Sequence, residues 1–275
     1  MKGIIENMRK IHTNTGAFRL YTHYISIILR STMQYKISFL MFIIGQFLVS
    51  FNVFLGVFFM FQRFHQVKGF TYQEVLLCFS IVLLEFSLAE MYARGFDSFG
   101  SMVRRGEFDR ILLRPRSAVL QVLGSKFELT RIGRMLQAVV MFLYAVVTGD
   151  IQWTADKVVT VILMLIGGSL LFTAMFLIYA AFCFFTTEGL EFMNVFTDGA
   201  REYGKYPLEV YGKRLLWITT FLIPYALIQY YPLLYLLDRK ESMVYIFLPL
   251  VAALFLLPAY LFWRIGIRHY KSCGS

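Results

Sequence analysis

Residues 104–124, RRGEFDRILLRPRSAVLQVLG, decide the fold. Arg104, Arg105, Arg110, Arg114 and Arg116 crowd into this stretch, with Glu107 and Asp109 between them. An unpaired charge at the bilayer centre costs at least ~2.5–3.5 kcal/mol, so the stretch lies in water. Outward from it on both sides the chain turns apolar. Residues 37–61 form an uncharged run of about 25 residues, long enough to cross ~30 Å of hydrocarbon.

Composition agrees with that reading. The chain of 275 residues is 58% hydrophobic and 16% charged, with mean hydropathy +0.62. Soluble domains run at roughly 45–50% apolar and about 25% charged. The expected class is an all-α integral membrane protein, residues 1–275 forming a single transmembrane domain. The net charge of +10 is unevenly placed. Assigning loops by hydropathy gives one side 22 Lys and Arg: six in the N-terminal arm, nine in 94–134, four in 201–214 and three in the tail. The other side holds five: Arg63, Lys68, Lys157, Arg239 and Lys240. The positive-inside rule then places both termini in the cytoplasm. Nucleic acid is not needed to explain the charge; anionic lipid headgroups are a simpler partner. The cysteines Cys78, Cys183 and Cys273 form no C-x-x-C pair, and no cleaved signal peptide is expected.

Hydropathy predicts six transmembrane helices, at roughly 37–61, 72–93, 120–148, 157–185, from 215 onward, and 243–263. Before the first, Arg19, His23, Ser26, Arg30 and Gln34 alternate with Phe18, Tyr21, Tyr24, Ile25 and Ile28 at helical spacing. That pattern predicts an amphipathic helix over 17–36 lying in the cytoplasmic interface. Gly167, Gly168, Ser169 and Ala174 give the fourth span a small-residue face. Residues 186–214, carrying Glu188, Glu191, Asp198, Arg201, Glu202, Lys205 and Glu209, look too polar to span and predict a second cytoplasmic element. Pro224 and Pro232 break the fifth span.

Gly106, Phe108, Asp109, Leu112, Leu113, Arg114 and Pro115 spell G-x-F-D-x-x-L-L-R-P. This resembles the loop after the second span in a branch of the permease subunits of ABC-2 transporters. Pro207, Leu208, Val210 and Tyr211 match a second pattern of that branch, P-L-x-[IV]-Y; Gly212 stands where a proline often follows. The resemblance implies that the loop, 94–119, carries a coupling helix where the permease meets its ATPase, through Gly106, Glu107, Phe108, Asp109, Arg110, Leu112, Leu113, Arg114 and Pro115. A helical stripe of Phe108, Ile111 and Leu112 ending at Pro115 suits docking into a partner's groove, with Phe108 in the cleft. The resemblance also implies a re-entrant or interfacial helix at the outer leaflet in the broken fifth span. It further implies pairing with a second permease, a heterodimer being favoured over a homodimer.

No Walker-type phosphate loop is present: Gly95 and Gly100 are followed by Ser101 and Met102, and Gly124-Ser125-Lys126 lacks the upstream glycine. The chain is therefore expected not to be an enzyme. It should bind no cofactor or metal itself, with ATP and Mg on the partner ATPase subunits. Glu85 and Glu90 fall within the second span, where carboxylates face a bundle interior or a water-filled path; with Pro224 and Gln229 they are the candidates for a translocation path. Glu90 also stands four residues before Arg94, a favourable helical pair. The expected function is the permease subunit of an ABC-2 exporter of an apolar, cationic or lipid-like solute in a plasma membrane, that of a bacterial inner membrane. Two rivals stand beside it: a proton-coupled secondary transporter using Glu85 and Glu90, and a non-transporting membrane scaffold.

Overall fold

The computed structural model describes residues 17–186 and 190–271; the arm 1–16, Glu188 and Cys273 lie outside the described residues. The described chain is helical, without a strand. A short helix, α1 (Ala17–Met33), leads into α2 (Lys36–Phe64) and, after a tight linker, α3 (Tyr72–Asp97). Three short helices follow: α4 (Phe99–Arg104), α5 (Glu107–Leu112) and α6 (Ala118–Leu123). Then come α7 (Ile132–Thr148), α8 (Ala155–Phe182), α9 (Asp198–Tyr203), α10 (Lys213–Phe221), α11 (Tyr225–Ile228), α12 (Tyr230–Leu236), α13 (Val244–Ala253) and α14 (Leu256–His269).

Helix α3 is the axis. Its start is fixed by a capping box: the Glu74 N–H donates to Thr71 Oγ1 at 3.4 Å, and the Thr71 N–H donates to Glu74 Oε2 at 2.7 Å. From Val75 to Ala93 nearly every side chain is buried, because α7 and α8 flank it. A helix apolar all round belongs in a core. By contrast α2 buries only Ser50, Val57 and Phe61 and presents Ile37, Leu40, Phe42 and Leu48 outward. Five helical stretches among the described residues are long and apolar enough to cross a membrane: Lys36–Phe64, Tyr72–Arg104, Leu129–Thr148, Ala155–Phe182 and Val244–His269.

The two ends of the bundle are distinct. At one, the arginine end, Trp263 of α14 meets Phe96 edge-on and Phe99 at a tilt. At the other, the far end, Arg239 bonds Glu74 at 2.8 Å and Lys157 bonds Asp238 at 2.7 Å. The expected fifth span is replaced by α10, α11 and α12, which fold back on themselves. The Thr220 and Tyr231 hydroxyls meet at 3.2 Å, and Tyr235 closes on Asp156 at the far end. Pro224 sets the turn, preceding α11.

Of the stretch 186–214, expected at the arginine end, residues 190–212 instead run beside α3 toward the far end. Phe184 meets Trp263 edge-on at the arginine end. Farther along, the Arg201 guanidinium lies over Phe86, and the Cys78 thiol reaches the Gly204 carbonyl at 3.6 Å. At the far end Lys68 Nζ donates to the Glu209 carbonyl at 3.2 Å. The segment's charges do not forbid this course, because Glu202 pairs with both Arg201 and Lys205.

Candidate functional site

The arginine stretch forms a small lobe of α4, α5 and α6. Gly106 starts α5 with φ of 67°, a left-handed conformation that favours glycine. The turn points Phe108 inward. Its ring is fully buried and meets Phe99 at 4.9 Å, Tyr270 at 5.1 Å, Phe184 at 5.4 Å and Trp263 at 6.3 Å. One aromatic seat thus joins the loop to the ends of α3, α8 and α14. Asp109 Oδ1 accepts from the Tyr270 hydroxyl at 2.9 Å. The expectation that Phe108 enters a partner's cleft is therefore corrected: its pocket is made by this chain. The face turned to water carries Arg110, Leu112, Leu113, Arg114 and Pro115, with Leu113 86% exposed. Glu107 is spent on an exposed pair with Arg105, 2.9 Å, of a kind that contributes little.

The two candidate glutamates have opposite surroundings. Glu90 is held by Arg94 at 3.0 Å, Arg134 at 2.5 Å and Arg131 at 3.3 Å. Gln46 of α2 accepts from both Arg131 and Arg134. The Glu90–Arg94 pair expected from spacing is present, and Arg131 and Arg134 enlarge it into a clamp of α2, α3 and α7. At its margin Glu128 lies outside the apolar stretches. Burial opposes its charge, but the hydrogen bond from Lys126 and the charges of Lys126, Arg131 and Arg94 outweigh this and hold its carboxyl below the usual range. Glu85 has no such company: it is fully buried and neither carboxylate oxygen has a hydrogen-bond partner. It lies on the glycine face of α8, so close that a Cβ on Gly168 would sit 2.2 Å from its Cδ.

Gln229 does not line an open path. Its amide nitrogen donates to the carbonyls of Gly204 and Tyr206 at 3.0 and 2.7 Å, and its side chain is buried. The structure therefore keeps the arginine loop together, clamps Glu90 among arginines, buries Glu85 and Gln229, and places Pro224 at the head of α11. Sequence reading missed the seat residues Phe99, Phe184, Trp263 and Tyr270, and missed Arg131 and Arg134. The arginines sit at the start of an apolar run, a signal available in the sequence; the seat has no local signal. No group of His, Cys, Asp or Glu able to hold a metal occurs among the described residues.

An apolar helical bundle with a water-facing arginine lobe seated on its span ends defines a multi-pass membrane protein with one elaborated end. The chain belongs to the ABC-2 family of transporter proteins, whose family model matches residues 47–274. Membership makes it a permease subunit of an ABC-2 transporter, a class that works with a partner ATPase. No curated protein and no solved structure matches the chain.

Proposed function

We propose that this chain is the membrane subunit of an ATP-driven exporter, and that its ATPase docks on Arg110, Leu112, Leu113, Arg114 and Pro115. One observation carries the reading: the same short loop holds a fully buried Phe108 and, five residues on, a Leu113 that is 86% exposed. An exposed apolar tip flanked by two arginines suits a partner surface, and an internal anchor gives it purchase on the spans. Movement of the tip would pass through the aromatic seat to α3, α8 and α14. ATP and Mg belong to the ATPase. A second permease, with a heterodimer favoured, completes the path, and the solute is apolar, cationic or lipid-like. The setting is a plasma membrane, bacterial and inner, with both termini cytoplasmic. Six crossings result when 190–212 is counted with the five apolar helices. Removing Arg201–Arg214 from the cytoplasmic count still leaves 18 basic residues there.

The test is Leu113→Glu with Arg114→Glu. The ATPase should no longer co-purify, while the permease stays monodisperse in detergent. Co-purification at the level of the unaltered chain would sink the assignment. A proton relay through Glu85 and Glu90 is the weaker reading, since three arginines already occupy Glu90.

A further inference from the structure

Between α6 and α14, at the arginine end, lies a cavity of about 260 Å³ whose wall includes Ser117, Val119, Tyr260, Trp263, Arg264 and Arg268. Every charged group in that wall is a cation. Arg264 and Arg268 stand one turn apart, so both guanidinium groups share one face. Neither has an ion-pair partner among the described residues. Trp263, fully buried, backs the wall between them and α6. A cavity whose only charged groups are two cations, with Ala118, Val119 and Ile267 also in its wall, suits an anion carried on an apolar body. Arginine forks match phosphate oxygens two at a time. The volume is below the ~300–1,000 Å³ of pockets for drug-sized solutes, which suits a headgroup better than a cargo molecule.

Position narrows the source of the phosphate. Leu257, Leu261 and Ile265 of α14 are exposed and apolar, and Arg264 and Arg268 follow that stripe in the helix's last turns. This is the level at which lipid headgroups meet a spanning helix, where Trp and Tyr anchors also gather. We propose that this cavity binds the headgroup of an anionic phospholipid from the cytoplasmic leaflet, its acyl chains lying along the exposed face of α14. The α6 wall follows the arginine tip directly, and Trp263 belongs to the seat under Phe108. A bound lipid would therefore brace the lobe against α14. The rival account is that arginines near a helix C-terminus simply complement its dipole and the inside-positive bias. That explains two charges but not their place on the wall of a cavity, and it predicts no choice among lipids. The inference stands or falls separately from the ATPase assignment.

The test uses the full chain in neutral detergent, titrated with phosphatidylglycerol, phosphatidylcholine or inorganic phosphate and read by native mass spectrometry. We expect a one-to-one phosphatidylglycerol adduct at least tenfold more populated than the phosphatidylcholine adduct. Arg264→Gln with Arg268→Gln should abolish the preference, whereas Arg63→Gln at the far end should leave it. Val119→Trp, which fills the cavity without changing charge, should also lower the adduct, so a misfolded double variant would not leave the matter open. Equal adducts for the two lipids would overturn the proposal. So would capture of inorganic phosphate without a lipid adduct, or a double variant that keeps the preference for phosphatidylglycerol.

Discussion

Replacing Phe108 with Ala and, separately, Leu113 with Ala should separate the anchor from the tip. Truncating a fully buried phenylalanine costs about 3–5 kcal/mol through lost transfer energy and the cavity left behind. Here four aromatic rings lie within 6.3 Å of the Phe108 ring, so both contributions apply in full. At Leu113, 86% exposed, the same kind of truncation should stay within about 0.5 kcal/mol. For a chain of this length each kcal/mol moves the midpoint by roughly 2–4 °C. Phe108→Ala should therefore unfold on the order of 10 °C lower in detergent, and Leu113→Ala within about 2 °C of the unaltered protein. In the complex, the ranking should reverse for docking: Leu113→Ala weakens ATPase capture even though the permease is as stable as before. An unchanged midpoint for Phe108→Ala, or a Leu113→Ala chain that melts early, would refute the inward assignment of Phe108.

Gly168→Ala should destabilise by about 1–3 kcal/mol by overpacking, because its Cβ would sit 2.2 Å from Glu85 Cδ. Adding Glu85→Ala should recover most of the loss in a double-mutant cycle, and additive losses would show that the two do not touch. Glu90→Gln should cost about 3–5 kcal/mol, since it leaves buried arginines without their anion; a midpoint shift below about 2 °C would contradict the clamp. The Glu128 carboxyl is held below its ordinary range in the folded chain, so its contribution is present above the unfolded value of about 4.3 and is lost as pH falls through the folded value. The melting difference between Glu128→Gln and the unaltered chain should accordingly shrink as the pH is taken from about 6 to below 4, and a constant difference would refute that sign.

Much of the frame was legible because it rests on local rules. The Glu90–Arg94 pair and the long apolar runs follow from residues a few positions apart. Phe108 was misread because an amphipathic turn announces that one face will be covered without saying by what. Phe184, Trp263 and Tyr270, which cover it, lie far along the chain. The clamp around Glu90 was half legible for the same reason. Arg94 is four residues away, whereas Arg134 arrives from another helix. Hydropathy misplaces residues 190–212 because it adds charges singly, while Arg201 and Lys205 are both paired with Glu202.

That last segment explains what Gln229 does. Backbone that leaves the helical ladder within an apolar bundle must find other partners, since each unsatisfied group costs several kcal/mol in hydrocarbon. Between Phe196 and Glu209 four carbonyls meet a side-chain donor. Phe196 accepts from the Tyr225 hydroxyl, Gly204 and Tyr206 from Gln229, and Glu209 from Lys68. The α10–α12 fold-back delivers two of these donors, Tyr225 and Gln229, on one face of a short helical turn. Its break at Pro224 therefore has a structural use: the chain is turned so that Tyr225 and Gln229 cover the irregular segment beside α3. A pathway along this side would have to open by displacing those donors together. The irregular segment is thus held from outside, by side chains of the α11 turn and of the α2–α3 linker that bond its carbonyls.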